Sequence, residues 1–221
     1  NKLLPSGSAD WALHPGLLEQ MSAKWLSQQD IEAFADTWAL EVAVVRTVYR
    51  VESGGMGFVG IKPKILFEGH VFWRELQKAG IDPRQHLHGN RDILFPNWNP
   101  SSYVGGLGEH ARLDRAMLID TSSALRSASW GLFQILGLHA QTLGYASVQD
   151  FVVAMTRAER DQLDAFGRFI SVNRYRGKPL LVWLQAHAWA SFAAGYNGPG
   201  YARNQYDTKL AQAYQSFSAS A

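Results

Sequence analysis

Apolar residues recur about every three to four positions along most of the chain, interrupted by short stretches rich in Gly, Pro and Asn. That spacing lines one face of an α-helix, so it predicts a mainly helical fold. Residues 1–26 carry Pro5, Gly7, Pro15 and Gly16 and read as a linker followed by a short helix over 17–26. Ser27 and Asp30 fit a capping box, which starts a helix ending near Asp36. Residues 40–51, apolar around most of their circumference, predict a buried helix. "KILFEGHVF" reads as a short strand feeding a helix over 70–79, with Gly80 as its stop.

Residues 81–108 are irregular, with short strands expected around 93–95 and 102–104. Beyond them the pattern is helical over 109–127, 130–135, 137–143, 148–155, 157–173, 180–195 and 202–217, and Thr156 and Glu159 read as a second capping box. The expected organisation is an extension over 1–26 and one domain over 27–221, mainly α (α+β), with a helical lobe and a small irregular β lobe.

The composition narrows the possibilities. With 47% hydrophobic residues and 8 Trp, the chain is too apolar for disorder, and its apolar residues are too evenly spread for a membrane span. A formal net charge of +2 leaves no strong field to hold nucleic acid, and Arg174, Arg176 and Lys178 read as a solvated loop between helices. The absence of cysteine excludes disulfides, thiolate zinc sites and a thiol nucleophile. His86 and His88, with Asp82 and Asp92 nearby, lack a third ligand at a recognisable metal spacing, so neither metal nor cofactor is expected. Trp98 and Tyr103, in the irregular lobe, suit sugar stacking, but ordinary packing is the favoured reading. The segment from Tyr201 to the end, with Tyr206, Leu210, Ala213, Tyr214 and Phe217 on one side, carries too few cations for a membrane-active helix and is expected to dock on the domain.

The stretch "RVESGGMGFVG" poses a choice. Gly55, Gly57 and Gly60 spell G-x-G-x-x-G, but a dinucleotide turn needs a strand before the first glycine and a helix at the last. Here a helix precedes the glycines and Pro63 opposes a helix start after them, so the nucleotide reading fails. On the helical wheel Glu52 shares a side with Val45 and Val48, away from Arg46 and Arg50. A carboxyl on an apolar stripe loses solvation and has a raised pKa, as a general acid at neutral pH requires. A helix-end glutamate in contact with water remains the competing reading.

Two more segments set polar groups among apolar ones: "SASWGLFQI", with Ser129 and Gln134, and "AAGYNGPG", with Tyr196 and Asn197. Buried amides and phenols need partners, which a shared polar cleft supplies. In this order, E-S-G, S-x-G-L-x-Q-I and Y-N-G-P-G resemble the lysozyme-like superfamily of goose-type lysozymes and lytic transglycosylases. With "ILFEGHVF" added, the chain from about Gln28 to Tyr214 is similar to the N-acetylmuramidases of phage endolysins and related bacterial lysis proteins.

The resemblance implies a lysozyme-like fold that cleaves the β-1,4 bond between N-acetylmuramic acid and N-acetylglucosamine in peptidoglycan. It makes Glu52 the proton donor, Tyr196 and Asn197 the groups that hold substrate or acid, and Ser129 and Gln134 cleft residues. Glu68 is the candidate second carboxylate, against the alternative of an ion pair with His70 or Lys64. Where related enzymes often carry Arg, this chain has Gly69, and where another branch of phage lysozymes places an Asp after the acid, it has Ile61. A lytic transglycosylase, which needs one glutamate, and a non-catalytic wall-binding or phage structural module stay open. Peptidoglycan strands are the expected partner of a monomer. No signal peptide is visible, so synthesis in the bacterial cytoplasm and action on the wall after release or secretion are expected.

Overall fold

The computed structural model describes residues 23–53 and 55–219. The predicted linker and most of the predicted helix over 17–26 lie outside the described residues, and 23–26 form turns and bends rather than helix. Trp25 packs edge-on against Phe58, and the Leu26 N–H donates to Glu159.

The α1 helix (Gln28–Trp38) starts at the capping box that the sequence predicts: the Ser27 side chain accepts from the Asp30 N–H and Asp30 accepts from the Ser27 N–H. The α2 helix (Val42–Glu52) buries Val44, Val45, Thr47 and Val48, and its last residue is Glu52. After it come a two-residue hairpin, β1 (Phe58–Val59) with β2 (Lys62–Pro63), then β3 (Ile65–Phe67) and α3 (Gly69–Lys78). The stop at Gly80 holds, with a φ of 77°.

The irregular segment departs from expectation. Residues 93–95 and 102–104 are not strands; a 3-10 turn occupies Pro100–Ser102. The helix expected over 109–127 divides into α4 (Gly108–Met117) and α5 (Thr121–Arg126), because Asp120 accepts from the Ser123 N–H and opens a new helix.

The larger correction is at 130–135, expected as helix. It is the turn of a hairpin between β4 (Ala128–Trp130) and β5 (Ile135–Leu136), which completes an antiparallel three-stranded sheet in the order β3-β4-β5. Leu66 pairs with Ser129, and Ser129 with Leu136. Gly131 and Gln134 turn with φ of 72° and 48°, which no α-helix accommodates. The segment expected as helix over 137–143 retains only a 3-10 turn, Gly137–His139.

α6 (Val148–Arg157) and α7 (Glu159–Val172) follow, but the Thr156 and Glu159 capping box does not form. Thr156 donates to the Val152 carbonyl inside α6, and Glu159 is buried, accepting from the N–H groups of Gly57 and Leu26. The Arg174, Arg176 and Lys178 loop is a tight hairpin of β6 (Arg174–Tyr175) and β7 (Lys178–Pro179). The helix expected over 180–195 breaks at His187, whose φ is 52°, into α8 (Leu180–Gln185) and α9 (Trp189–Asn197).

α10 (Tyr206–Ser218) docks back on α2 as expected, burying Leu210 and Ala213, and Tyr214 donates to Glu41 at the start of α2. A single core containing Phe67, Phe72, Phe151, Phe166 and Phe192 holds helices and sheet together, each such ring contributing about 1.5 to 3 kcal/mol of burial. Among the described residues no helix is long and apolar enough to cross a membrane.

Candidate active site

Glu52 ends α2 on the face that carries buried Val45 and Val48, as the helical period requires. Ser53 closes the helix: its hydroxyl donates to the Tyr49 carbonyl and accepts from the Gly55 N–H. Past it, Gly57 is pinned from both sides, its N–H to Glu159 at 2.9 Å and its carbonyl to Gln162 at 3.3 Å. A Cβ on Gly57 would lie 2.0 Å from Gln162 Oε1, so any larger residue here must displace the Gln162 side chain. Gln162 also accepts from the Leu132 N–H at 2.8 Å, and so ties the segment after Glu52 to the β4-β5 turn.

The Glu52 carboxyl is held asymmetrically. Oε2 accepts from Asn197 Nδ2 at 3.0 Å, while Oε1 is buried without a hydrogen-bond partner among the described residues. Burial pushes its pKa above the ordinary glutamate value, and the Asn197 donor and Lys209 only partly oppose that. Neighbouring Tyr196, stacked on Phe192 at 5.3 Å, donates to the Phe133 carbonyl at 3.3 Å. Burial and then the charge of Glu52 lift its pKa well above the usual phenol value.

Ser129, Gln134 and Tyr196, far apart in sequence, line one cavity of about 250 Å³ with Phe133, Phe169 and His139. Gln134 spends its Nε2 on the carbonyls of Gly131 and Lys64, at 2.9 and 3.3 Å. Its backbone is left-handed, a strained conformation for a residue other than glycine. His139 is a lining residue that sequence reasoning missed; burial and nearby Arg126 hold its pKa below the usual imidazole value, so it lines the cavity as a neutral ring.

Glu68 belongs to a second cluster. Its N–H donates to the Ser127 carbonyl at 2.9 Å, which fixes it at the end of β3 beside β4. Its carboxylate accepts from the Tyr103 hydroxyl and lies 3.4 Å from His70 Nδ1, so the ion-pair reading of Glu68 with His70 has a geometric basis. Burial lowers the His70 pKa, Glu68 opposes this, and Arg74 adds to it. Tyr103 is pushed up to about 12 by burial and by Glu68, and stays a proton donor. A Cβ on Gly69 would lie 2.5 Å from the Phe95 ring and 2.8 Å from the Ile93 carbonyl, so an Arg does not fit there.

What holds this cluster is a buried ion pair that the sequence did not reveal. Glu109 accepts from the N–H groups of Phe67, Val104 and Gly105, and Arg112 binds Glu109, the Phe67 carbonyl and the Asp92 carbonyl. Burial opposes ionisation of Glu109, but those backbone donors and Arg112 outweigh it and its pKa falls below the ordinary value. The pair welds the irregular lobe to β3. Asp82 caps its own 3-10 turn and Asp92 pairs with Arg115, and among the described residues no cluster suits a metal.

The family model for N-acetylmuramidase matches residues 41–218. Among solved structures, the crystal structure of Burkholderia AP3 phage endolysin is similar with a TM-score of 0.81 and 37% identity, over 93% of this chain and 78% of that one. No curated protein matches the chain. The matched span runs from just before α2 to the last residue of α10 and contains Glu52, Glu68, the sheet and Asn197, so the chain belongs to the N-acetylmuramidase family.

Proposed function

We propose that the protein is a peptidoglycan muramidase that hydrolyses the β-1,4 bond between N-acetylmuramic acid and N-acetylglucosamine, with Glu52 as general acid. The carrying observation is the Glu52 carboxyl itself: one oxygen fixed by Asn197, the other buried and without a partner among the described residues, and a pKa raised by burial. Oε1 then carries the proton and gives it to the departing glycosidic oxygen, while positive charge develops at the muramic acid C1. Glu68 removes the proton of the water that attacks C1 or stabilises that charge. Ser129, Gln134, Tyr196 and Asn197 orient the strand and the acid. The substrate is the wall glycan, reached after release or secretion by a protein acting as a monomer.

Glu52→Gln keeps the shape and removes the proton. Loss of wall clearance by this variant is expected, and retained clearance would return the chain to a non-catalytic wall-binding role. One observation favours a second reading: Glu68 is engaged by Tyr103 and His70 in a cluster of its own, while Asn197, not a carboxylate, holds Glu52. A lytic transglycosylase needs only the one acid. Mass spectrometry of digested sacculi separates the two, since hydrolysis leaves a reducing muramic acid and transglycosylation a 1,6-anhydro end.

A further inference from the structure

Trp98 is a large aromatic side chain left 64% exposed, where every other described Phe, Tyr or Trp ring but Trp25 is buried or half-buried. Packing, the favoured sequence reading, does not account for it. Nor is the ring free to turn at will, because its Nε1 donates to the Tyr103 hydroxyl at 3.0 Å. The same hydroxyl donates to Glu68, so indole and carboxylate share one oxygen atom and lie on the order of 5 Å apart. Tyr103, pushed up to about 12, keeps its proton, which fixes the direction of both bonds: Trp98 to Tyr103, and Tyr103 to Glu68. Val104 and Leu107 of the same irregular segment are also exposed, at 65% and 56%, and the Glu109 carboxylate accepts from the N–H groups of Val104 and Gly105.

An exposed ring held in one orientation beside a carboxylate is preorganised for a ligand with one apolar face and polar edges. We infer that Trp98 is a stacking platform for an N-acetylhexosamine ring of the glycan strand, placed one sugar from Glu68 and oriented through Tyr103. The inference deepens the muramidase reading and rests on it. The exposed pyranose face covers the indole, and the hydrogen-bonding edge of the sugar is left to Glu68 and its neighbours.

The test uses full-length protein carrying Glu52→Gln, which binds without cleaving, with its tryptophans labelled at the indole nitrogen. Adding Trp98→Phe identifies the Trp98 resonance by its loss. On titration with an N-acetylglucosamine tetramer, the Trp98 signal is expected to shift and saturate. Trp98→Ala, an exposed position whose folding is checked by circular dichroism, is expected to weaken tetramer binding about tenfold. A Trp98 resonance that stays in place while other resonances saturate, or equal affinity in Trp98→Ala, overturns the inference and leaves the muramidase reading intact. If no resonance in the protein moves, the glycan-binding reading falls and this inference falls with it.

Discussion

Asn197 at the end of α9 donates to Glu52 Oε2 at 3.0 Å, a hydrogen bond spanning 145 residues of sequence. It leaves Oε1 buried without a hydrogen-bond partner among the described residues, and because it favours the charged form it restrains the rise in the Glu52 pKa. Removing it has two separable effects. In Asn197→Ala the Glu52 pKa rises further, so the basic limb of the kcat/KM profile moves to higher pH. Loss of a fixed carboxyl orientation lowers kcat about tenfold to a hundredfold. Lys209→Met is expected to move the same limb in the same direction without the loss of kcat, since Lys209 acts on Glu52 only through its charge. A pH–rate series on purified wall settles the point; an unmoved basic limb in Asn197→Ala would mean that Asn197 serves the substrate alone.

Glu52 also makes a prediction about stability. Its folded pKa lies above its unfolded value, so the native chain holds this proton more tightly than the unfolded one does. Stability is therefore undiminished below the unfolded pKa of about 4.3, falls as pH rises toward the folded pKa, and carries the full cost above it. Glu52→Gln removes that cost. Its Tm is expected to match the parent's at pH near 4 and to exceed it at pH near 7, by about 2 to 4 °C for each kcal/mol recovered. Wall clearance falls about a hundredfold or more. Scanning calorimetry at the two pH values checks this, and a variant less stable than the parent at neutral pH would show that burial does not penalise the ionised Glu52.

The placement of Glu52 on the buried face of α2 was legible in the sequence because it is local: the helical period sets that face. The Ser27 box and the Gly80 stop were legible for the same reason. The β4-β5 hairpin was not. Ser129 and Trp130 are strand only because Leu66 and Ile65 pair with them, and a window of apolar residues around the turn looks equally helical. Glu109 and Arg112 stand three residues apart on a helix, the usual spacing of a solvated pair, and nothing nearby signals that their partners are Phe67 and Asp92. Glu159 matched a cap by spacing, yet the free N–H of Gly57 claims it across 102 residues. Sequence reasoning thus gave the identities of the candidate site residues, while long-range pairing decided which of them meet.

Glu68 is where mechanism and geometry are most sharply testable. If it takes the proton from the attacking water, Glu68→Ala loses about a hundredfold or more in rate, and azide, which attacks without losing a proton, restores turnover. Azide does not restore Glu52→Ala, which lacks the proton for the leaving oxygen. Tyr103→Phe is expected to lower kcat about tenfold while leaving the basic limb, set by Glu52, in place. Full turnover by Glu68→Ala with anhydro products would transfer the protein to the transglycosylases.

Gly57 does not adopt a left-handed backbone, so Gly57→Ala is opposed by contact alone: the new methyl meets Gln162 Oε1 at 2.0 Å. Gln162 cannot retreat without abandoning the Leu132 N–H and the Met155 carbonyl, both buried. Overpacking of this kind costs about 1 to 3 kcal/mol, and the strain falls on the segment directly after Glu52. Gln162→Ala alone orphans buried backbone groups at a cost of about 1 to 3 kcal/mol, but it also opens the space that the methyl needs. The double variant is therefore expected to be less destabilised than the two singles added together, by about 0.5 kcal/mol or more. Urea unfolding of the four proteins measures that coupling, and simple additivity would show that Gln162 does not confine Gly57.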